Sequence, residues 1–327
     1  MNDQLRDLIE AQDLNGLLRT VDGLCATKAW DALVELADEC ERALERGKQL
    51  WPIAAHIDYR LALEGPADYA ADVLTTDQRR FALGPLTEVA ASTHTWEELA
   101  PHIESSQIAA YVAQERVLRG EILTGDEKAH AEVLEMPLEL MAWEPDYPLA
   151  SYKSTFVEVP ETWTPAAPQA RANLDPAPER EDPGLAEALL ELVQPWTTES
   201  NGAARSIVVE GDGVGAASNL VLERLFIGEL QPAEAIQRMA WAAASGGAHG
   251  RRRGATFGRF LGWYTTALIA GLDWPVSPED LEAAAHELRW HYFDEGEEEE
   301  GWSLRMVVED PDDGWAAALA ATDLLTE

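Results

Sequence analysis

Eight prolines fall between Met141 and Gly184, in MAWEPDYPLASYKSTFVEVPETWTPAAPQARANLDPAPEREDPG. Proline has no backbone N–H and its ring fixes φ near −65°, so no helix of ordinary length runs through this stretch. The chain is thereby cut into three parts, 1–137, 138–184 and 185–327. The middle part reads as a linker or an extended wrapping segment. Its aromatic residues Trp143, Tyr147, Tyr152, Phe156 and Trp163 argue that at least the first half packs on a domain. One short strand is expected near Tyr152 to Val159, and the run from Trp163 to Pro183 is expected to be mobile.

Before the prolines the apolar residues recur at helical spacing. AWDALVELADECERALERG places Trp30, Leu33, Val34, Leu36, Ala37, Cys40 and Leu44 at helical spacing and stops at Gly47. QLWPIAAHIDYRLALEGP predicts a second helix, ended by Gly65 and Pro66. Further helices are expected at Leu5 to Leu18, Asp68 to Leu74, Arg79 to Ala91, Trp96 to His102 and Ile108 to Arg119. Short helices with short connections make a helical array, and no strict repeat period assigns it to a named solenoid.

After the prolines the texture is mixed. Helices are expected at Leu185 to Val193, Ala216 to Phe226, Pro232 to Ala244, Gly254 to Ala270 and Pro278 to Glu287, with a strand at Ser206 to Glu210. LRWHYF and WSLRMVVE, joined by DEGEEEEG, predict an antiparallel hairpin with an acidic tip. DPDDGWAAALAATDLL reads as a closing helix with an aspartate N-cap. The expected fold is mainly α, an N-terminal helical array plus an α+β C-terminal domain with a small antiparallel sheet.

Charge narrows the function classes. Asp and Glu number 60 against 24 Lys and Arg, a formal net charge of −36. Nonspecific nucleic-acid binding needs positive clusters that release counterions, so direct binding to nucleic acid is not expected. Anionic membranes would also repel the chain. Its partner is expected to be a protein with a basic surface. Cys25 and Cys40 fit neither a disulfide framework nor paired zinc ligands. The N-terminus MNDQLRDLIEAQ has no basic and apolar signal pattern, and the expected location is the cytoplasm.

Three motifs lose to their ordinary readings. VVEGDGVGAAS places Gly211, Gly213 and Ala216 in G-x-G-x-x-A spacing after a strand, but the parallel strand a dinucleotide fold needs next is missing. HELRWH separates His286 and His291 by five residues, which on a helix turns the imidazoles about 140° apart. EDPDDG lacks the glutamate of a calcium loop, since the twelfth position from Asp310 is Ala321. No cofactor or metal is expected, and whether the protein is an enzyme is left open.

The charge pattern breaks once. From Ala235 to Leu272 there is no aspartate or glutamate, and GGAHGRRRGATFGR carries Arg251, Arg252, Arg253 and Arg259. Gly254, Gly258 and Gly262 lie on one face of the helix that follows, allowing close packing. The arginines therefore sit at a helix start, which carries partial positive charge and prefers anions. Either the protein's own acids, from Glu295 to Glu300 or Asp310 to Asp313, fold back onto them, or an external phosphate-bearing ligand does. For the external case the candidate site is His249, Arg251, Arg252, Arg253, Thr256 and Arg259.

GRRRGATFGRF, LRWHYFDEG and GWSLRMVVEDPDDGWA resemble the C-terminal part of an uncharacterised bacterial family of unknown function, over about the last third of the chain. The resemblance implies no activity and carries no functional residue. The reading that follows is an intracellular, non-catalytic interaction or adaptor protein with an acidic surface. The alternative is an enzyme or sensor that binds a phosphorylated or other anionic ligand at the Arg251–Arg253 helix start.

Overall fold

A computed structural model describes residues 3–74, 84–159, 169–296 and 301–325. The chain forms two compact units, one of residues 1–134 and 150–158, the other of 135–149 and 159–327. The proline-rich middle is thus shared between them.

The first unit is helical. It comprises α1 (Asp3–Ala11), α2 (Leu14–Ala26), α3 (Trp30–Leu44), α4 (Trp51–Glu64), α5 (Ala67–Asp72), α6 (Leu86–Thr93), α7 (Trp96–Leu99), α8 (Ser106–Leu118) and α9 (Ala131–Leu134). The expected single helix over Leu5 to Leu18 is two. Gln12 turns to φ 52°, and Asp13 caps α2 by accepting from Gly16 N at 2.9 Å. Competition by an aspartate side chain for backbone amides is what ends one helix and starts the next. Ile9, Leu17, Val21, Leu33, Leu36, Ile53 and Ile57 pack as one core. The expected helix from Arg79 lies partly outside the described residues, and its described portion begins at Leu86.

The hairpin of β1 (Ser151–Tyr152) and β2 (Val157–Glu158) belongs to this helical unit. Tyr152 donates from its hydroxyl to the buried Glu88 at 2.8 Å. Tyr59 of α4 donates to the carbonyl of Lys153. Tyr152 is therefore an anchor while Phe156 stands exposed, and the strand expected there is a two-stranded turn.

The second unit is an antiparallel sheet under helices. In chain order come β3 (Ala170–Ala172), α10 (Pro183–Glu191), α11 (Gln194–Thr198), β4 (Ala203–Glu210), α12 (Gly213–Ser218), β5 (Leu225–Leu230), α13 (Pro232–Ala244), α14 (Ala255–Ile269), α15 (Pro278–Glu287), β6 (Arg289–Asp294), β7 (Gly301–Asp310) and β8 (Trp315–Leu324). The strand order is β3-β5-β6-β7-β8-β4. Leu304, Met306, Val308, Ala317 and Leu319 turn to the face that packs on the helices, with Met239, Leu189 and Trp196 above them. Val307, Phe293, Ala316 and Ala318 turn to the other face, beside Ala216 and Ala217 of α12.

Two corrections follow. The expected helix Ala216 to Phe226 is the short α12 and then β5. The expected closing helix is β8, paired along its length with β7 on one side and β4 on the other. WAAALAATDL reads as a helix because alanine favours one. A central strand buried on both faces loses its polar alternation, and its small residues leave room for α12. The protein is accordingly mixed α/β rather than mainly α. The hairpin of β6 and β7 pairs as expected, and residues 297–300 of its acidic tip lie outside the described residues.

Candidate functional site

The basic loop 245–254 joins α13 to α14, two helices in close contact. A Cβ on Gly258 would fall 2.3 Å from Ala240 O and 2.9 Å from the Ala244 Cβ, so that position requires glycine's missing side chain. The loop doubles back on itself: Arg253 N and Gly254 N both donate to Ala244 O, at 2.8 and 3.3 Å. Gly247 at φ 73° makes the reversal possible.

Side chains of the same unit satisfy the loop's amides. Ala248 N donates to Asp323 Oδ2 at 2.5 Å, His249 N to Ser200 Oγ at 3.1 Å, and Arg251 N to Glu199 Oε2 at 3.4 Å. The Arg251 guanidinium lies 3.5 Å from the same Glu199. Arg253 donates to Gln194 at 3.1 Å, lies 3.7 Å from Glu191, and stacks 4.3 Å over the Phe257 ring. Among the described residues, the acid beside Arg253 comes from α10 and the one beside Arg251 from the end of α11; residues 297–300 of one of the two expected acidic segments lie outside the described residues. Glu295 pairs instead with Arg305, at 3.5 Å.

Of the six residues of the proposed anion site, one, Arg259, is directed elsewhere, to Glu144. His249 is exposed, Arg252 is half-buried and Thr256 is buried. Arg259 leaves the loop altogether. Its guanidinium, with no exposure, forks onto Glu144 at 2.8 and 2.6 Å and donates to Glu139 O and Pro137 O. Glu144 also accepts from Trp263 Nε1 at 3.0 Å, the Tyr147 hydroxyl at 2.6 Å and Met141 N at 2.9 Å. Burial and the neighbouring Glu144 carboxylate push the Tyr147 hydroxyl well above its ordinary range. This network ties residues 137–147 to α14.

A second constellation carries no sequence motif. At one end of the strands, Glu210 closes β4 and Asp212 follows it, and Asp310, Asp312 and Asp313 mark the β7–β8 turn. The Asp310 carboxylate accepts from Asp312 N and Asp313 N, both at 3.0 Å, leaving those two side chains outward. Register brings Glu229 of β5 opposite His291 of β6 and Arg289 opposite Glu309 of β7. His291 Nε2 lies 3.9 Å from Glu309, which also accepts from Gly213 N at 2.9 Å. Burial lowers the His291 pKa against the opposing pull of Glu309, Glu229 and Asp212. This end of the sheet is a carboxylate rim around His291, with Arg289 paired to Glu309 at 3.3 Å.

The G-x-G-x-x-A stretch lies on this rim and is followed by β5, antiparallel to its neighbours. His286 ends α15 while His291 stands in β6. Among the described residues no group of three or more His, Cys, Asp or Glu is placed to hold a metal ion. Also among them, no helix is long and apolar enough to cross a membrane. A family model described as a family of unknown function (DUF6183) matches residues 15–324, most of the chain and not just its last third. No curated protein and no solved structure matches.

Proposed function

The chain belongs to that family of unknown function, and we propose that it is a non-catalytic interaction protein whose acidic rim receives a basic partner. The observation that carries this reading is the rim itself. Glu210, Asp212, Glu229, Asp312 and Asp313 are each exposed and lie at or beside the same end of the strands of the sheet. Meanwhile arginines elsewhere are drawn inward onto acids of the fold: Arg259 onto Glu144, Arg60 onto Asp22 and Glu64, and Arg119 onto Glu115. Arg289, paired to Glu309, is one cation beside several outward carboxylates at the rim, and a patch of that sign steers a cationic partner and fixes its orientation.

The alternative, an anionic ligand at Arg251–Arg253, is less favoured. Glu199 and Glu191 already face those guanidiniums, and Asp323 takes a loop amide. The reading also holds that the protein works in the cytoplasm. Cys25 and Cys40 are buried free thiols, burial pushes Cys40 up to about 12, and both suit a reducing compartment.

The test is capture from a native lysate at low salt, using the full chain and a variant carrying Glu210→Lys, Asp312→Lys and Asp313→Lys. A stoichiometric basic protein held by the wild type, released by salt and lost by the variant, is the expected result. Recovery of no such partner, or undiminished capture by the variant, would overturn the reading.

A further inference from the structure

We infer that one ordered water molecule is bound beneath the basic loop, hydrogen-bonded to Trp196 Nε1 and Asp323 Oδ1. Both residues are fully buried. Neither of these two atoms has a hydrogen-bond partner among the described residues. Such atoms are rarely left unpaired in a folded interior.

The two groups converge on the loop. A Cβ on Gly247 would fall 2.1 Å from Asp323 Oδ2 and 3.2 Å from Trp196 Cδ1, the carbon beside the indole nitrogen. The indole edge that carries Nε1 and the carboxylate therefore meet at the same glycine. The backbone closes around them as well: Gly202 N donates to Trp196 O at 2.8 Å, and a Cβ on Gly202 would lie 3.1 Å from the Asp323 Cβ.

The chemistry of the pair selects the occupant. Asp323 Oδ1 needs a donor and the indole N–H needs an acceptor. A cation serves the carboxylate alone, and an anion serves the indole alone. Water does both, and polar interior sites of this kind hold it with two to four partners. The other oxygen, Asp323 Oδ2, takes Ala248 N at 2.5 Å. Asp323 thus holds the loop directly through one oxygen, and through the other it reaches α11, the helix whose first residue Gln194 and C-cap Glu199 hold Arg253 and Arg251.

The test is a crystal structure of the full chain that shows ordered solvent, paired with NMR of the Trp196 indole proton, assigned by its loss in Trp196→Phe. The expected result is a density peak about 2.7–3.2 Å from both atoms and a water cross-peak at that proton. A map in which Trp196 Nε1 bonds Asp323 Oδ1 directly, or an indole proton with no water cross-peak, overturns the inference.

Discussion

Arg259 and Glu144 form a two-point guanidinium–carboxylate fork, at 2.8 and 2.6 Å, with neither side chain in contact with solvent. Among the described residues, the Glu144 carboxylate also accepts from Trp263, Tyr147 and Met141 N. Removing the arginine therefore leaves a buried charge whose remaining partners are neutral. Arg259→Ala is expected to cost about 3–5 kcal/mol, the usual penalty for breaking a buried pair from one side. Arg289→Ala, which removes an exposed partner of Glu309, should cost about 0–1 kcal/mol. Urea unfolding of both variants checks the contrast; equal losses would mean that the fork does not anchor residues 137–147.

Two glycines of one helix face make opposite predictions. A Cβ on Gly258 collides with the α13 backbone at 2.3 Å, whereas one on Gly262 meets its nearest atom, Ile236 O, at 3.4 Å. Gly258→Ala must push the helices apart, at about 1–3 kcal/mol or more. Gly262→Ala gains helix propensity of up to about 1 kcal/mol against a contact that gives slightly. Thermal melts of the two variants should therefore move in different directions, or at least differ by several degrees.

The glycine stripe was legible in the sequence because its cause is local: a period of four on a helix means close approach whatever the neighbour is. Helices α13 and α15 were legible to the residue for the same reason, each opening on a proline at its first position. What escaped were consequences of partners distant in sequence. Trp315 to Leu324 is a strand because β7 and β4 flank it, and alanine's own preference points the other way. Arg259 stands eight residues after Arg251 in the same basic run, yet its acid is Glu144, more than a hundred residues upstream. The rim is likewise a product of strand register, which brings together Glu229, His291 and Glu309 from three separate segments.

His291 gives the protein a signed pH dependence. Burial lowers its pKa from the ordinary 6.5, with Arg289 adding to the shift and Glu309, Glu229 and Asp212 opposing it. A group that binds its proton more weakly folded than unfolded makes stability fall with pH. The loss begins as pH drops through the unfolded value near 6.5 and is complete below the folded value. Wild type should lose stability over this window, and His291→Gln should lose less. Unfolding midpoints measured on either side of the window check it; parallel losses in both proteins would assign the effect to other groups.

The rim also predicts how the protein responds to salt. The Asp312 and Asp313 side chains take no part in the turn, which is held by the Asp310 carboxylate on their amides. Converting both to asparagine keeps those amide bonds and removes two charges from a crowded anionic rim. Exposed like charges repel across distances that salt screens, with a Debye length of about 10 Å at 0.1 M. The double variant should equal or exceed the wild type in stability at low salt, by no more than about 0.5 kcal/mol per site. It should also gain less from added potassium chloride. A lysine-rich peptide used as a generic cation should bind the wild type with a steep salt dependence and the variant with a shallower one. If the salt responses of stability and of peptide binding are the same in both proteins, the anionic surface that matters lies elsewhere, and the rim is not where a basic partner docks.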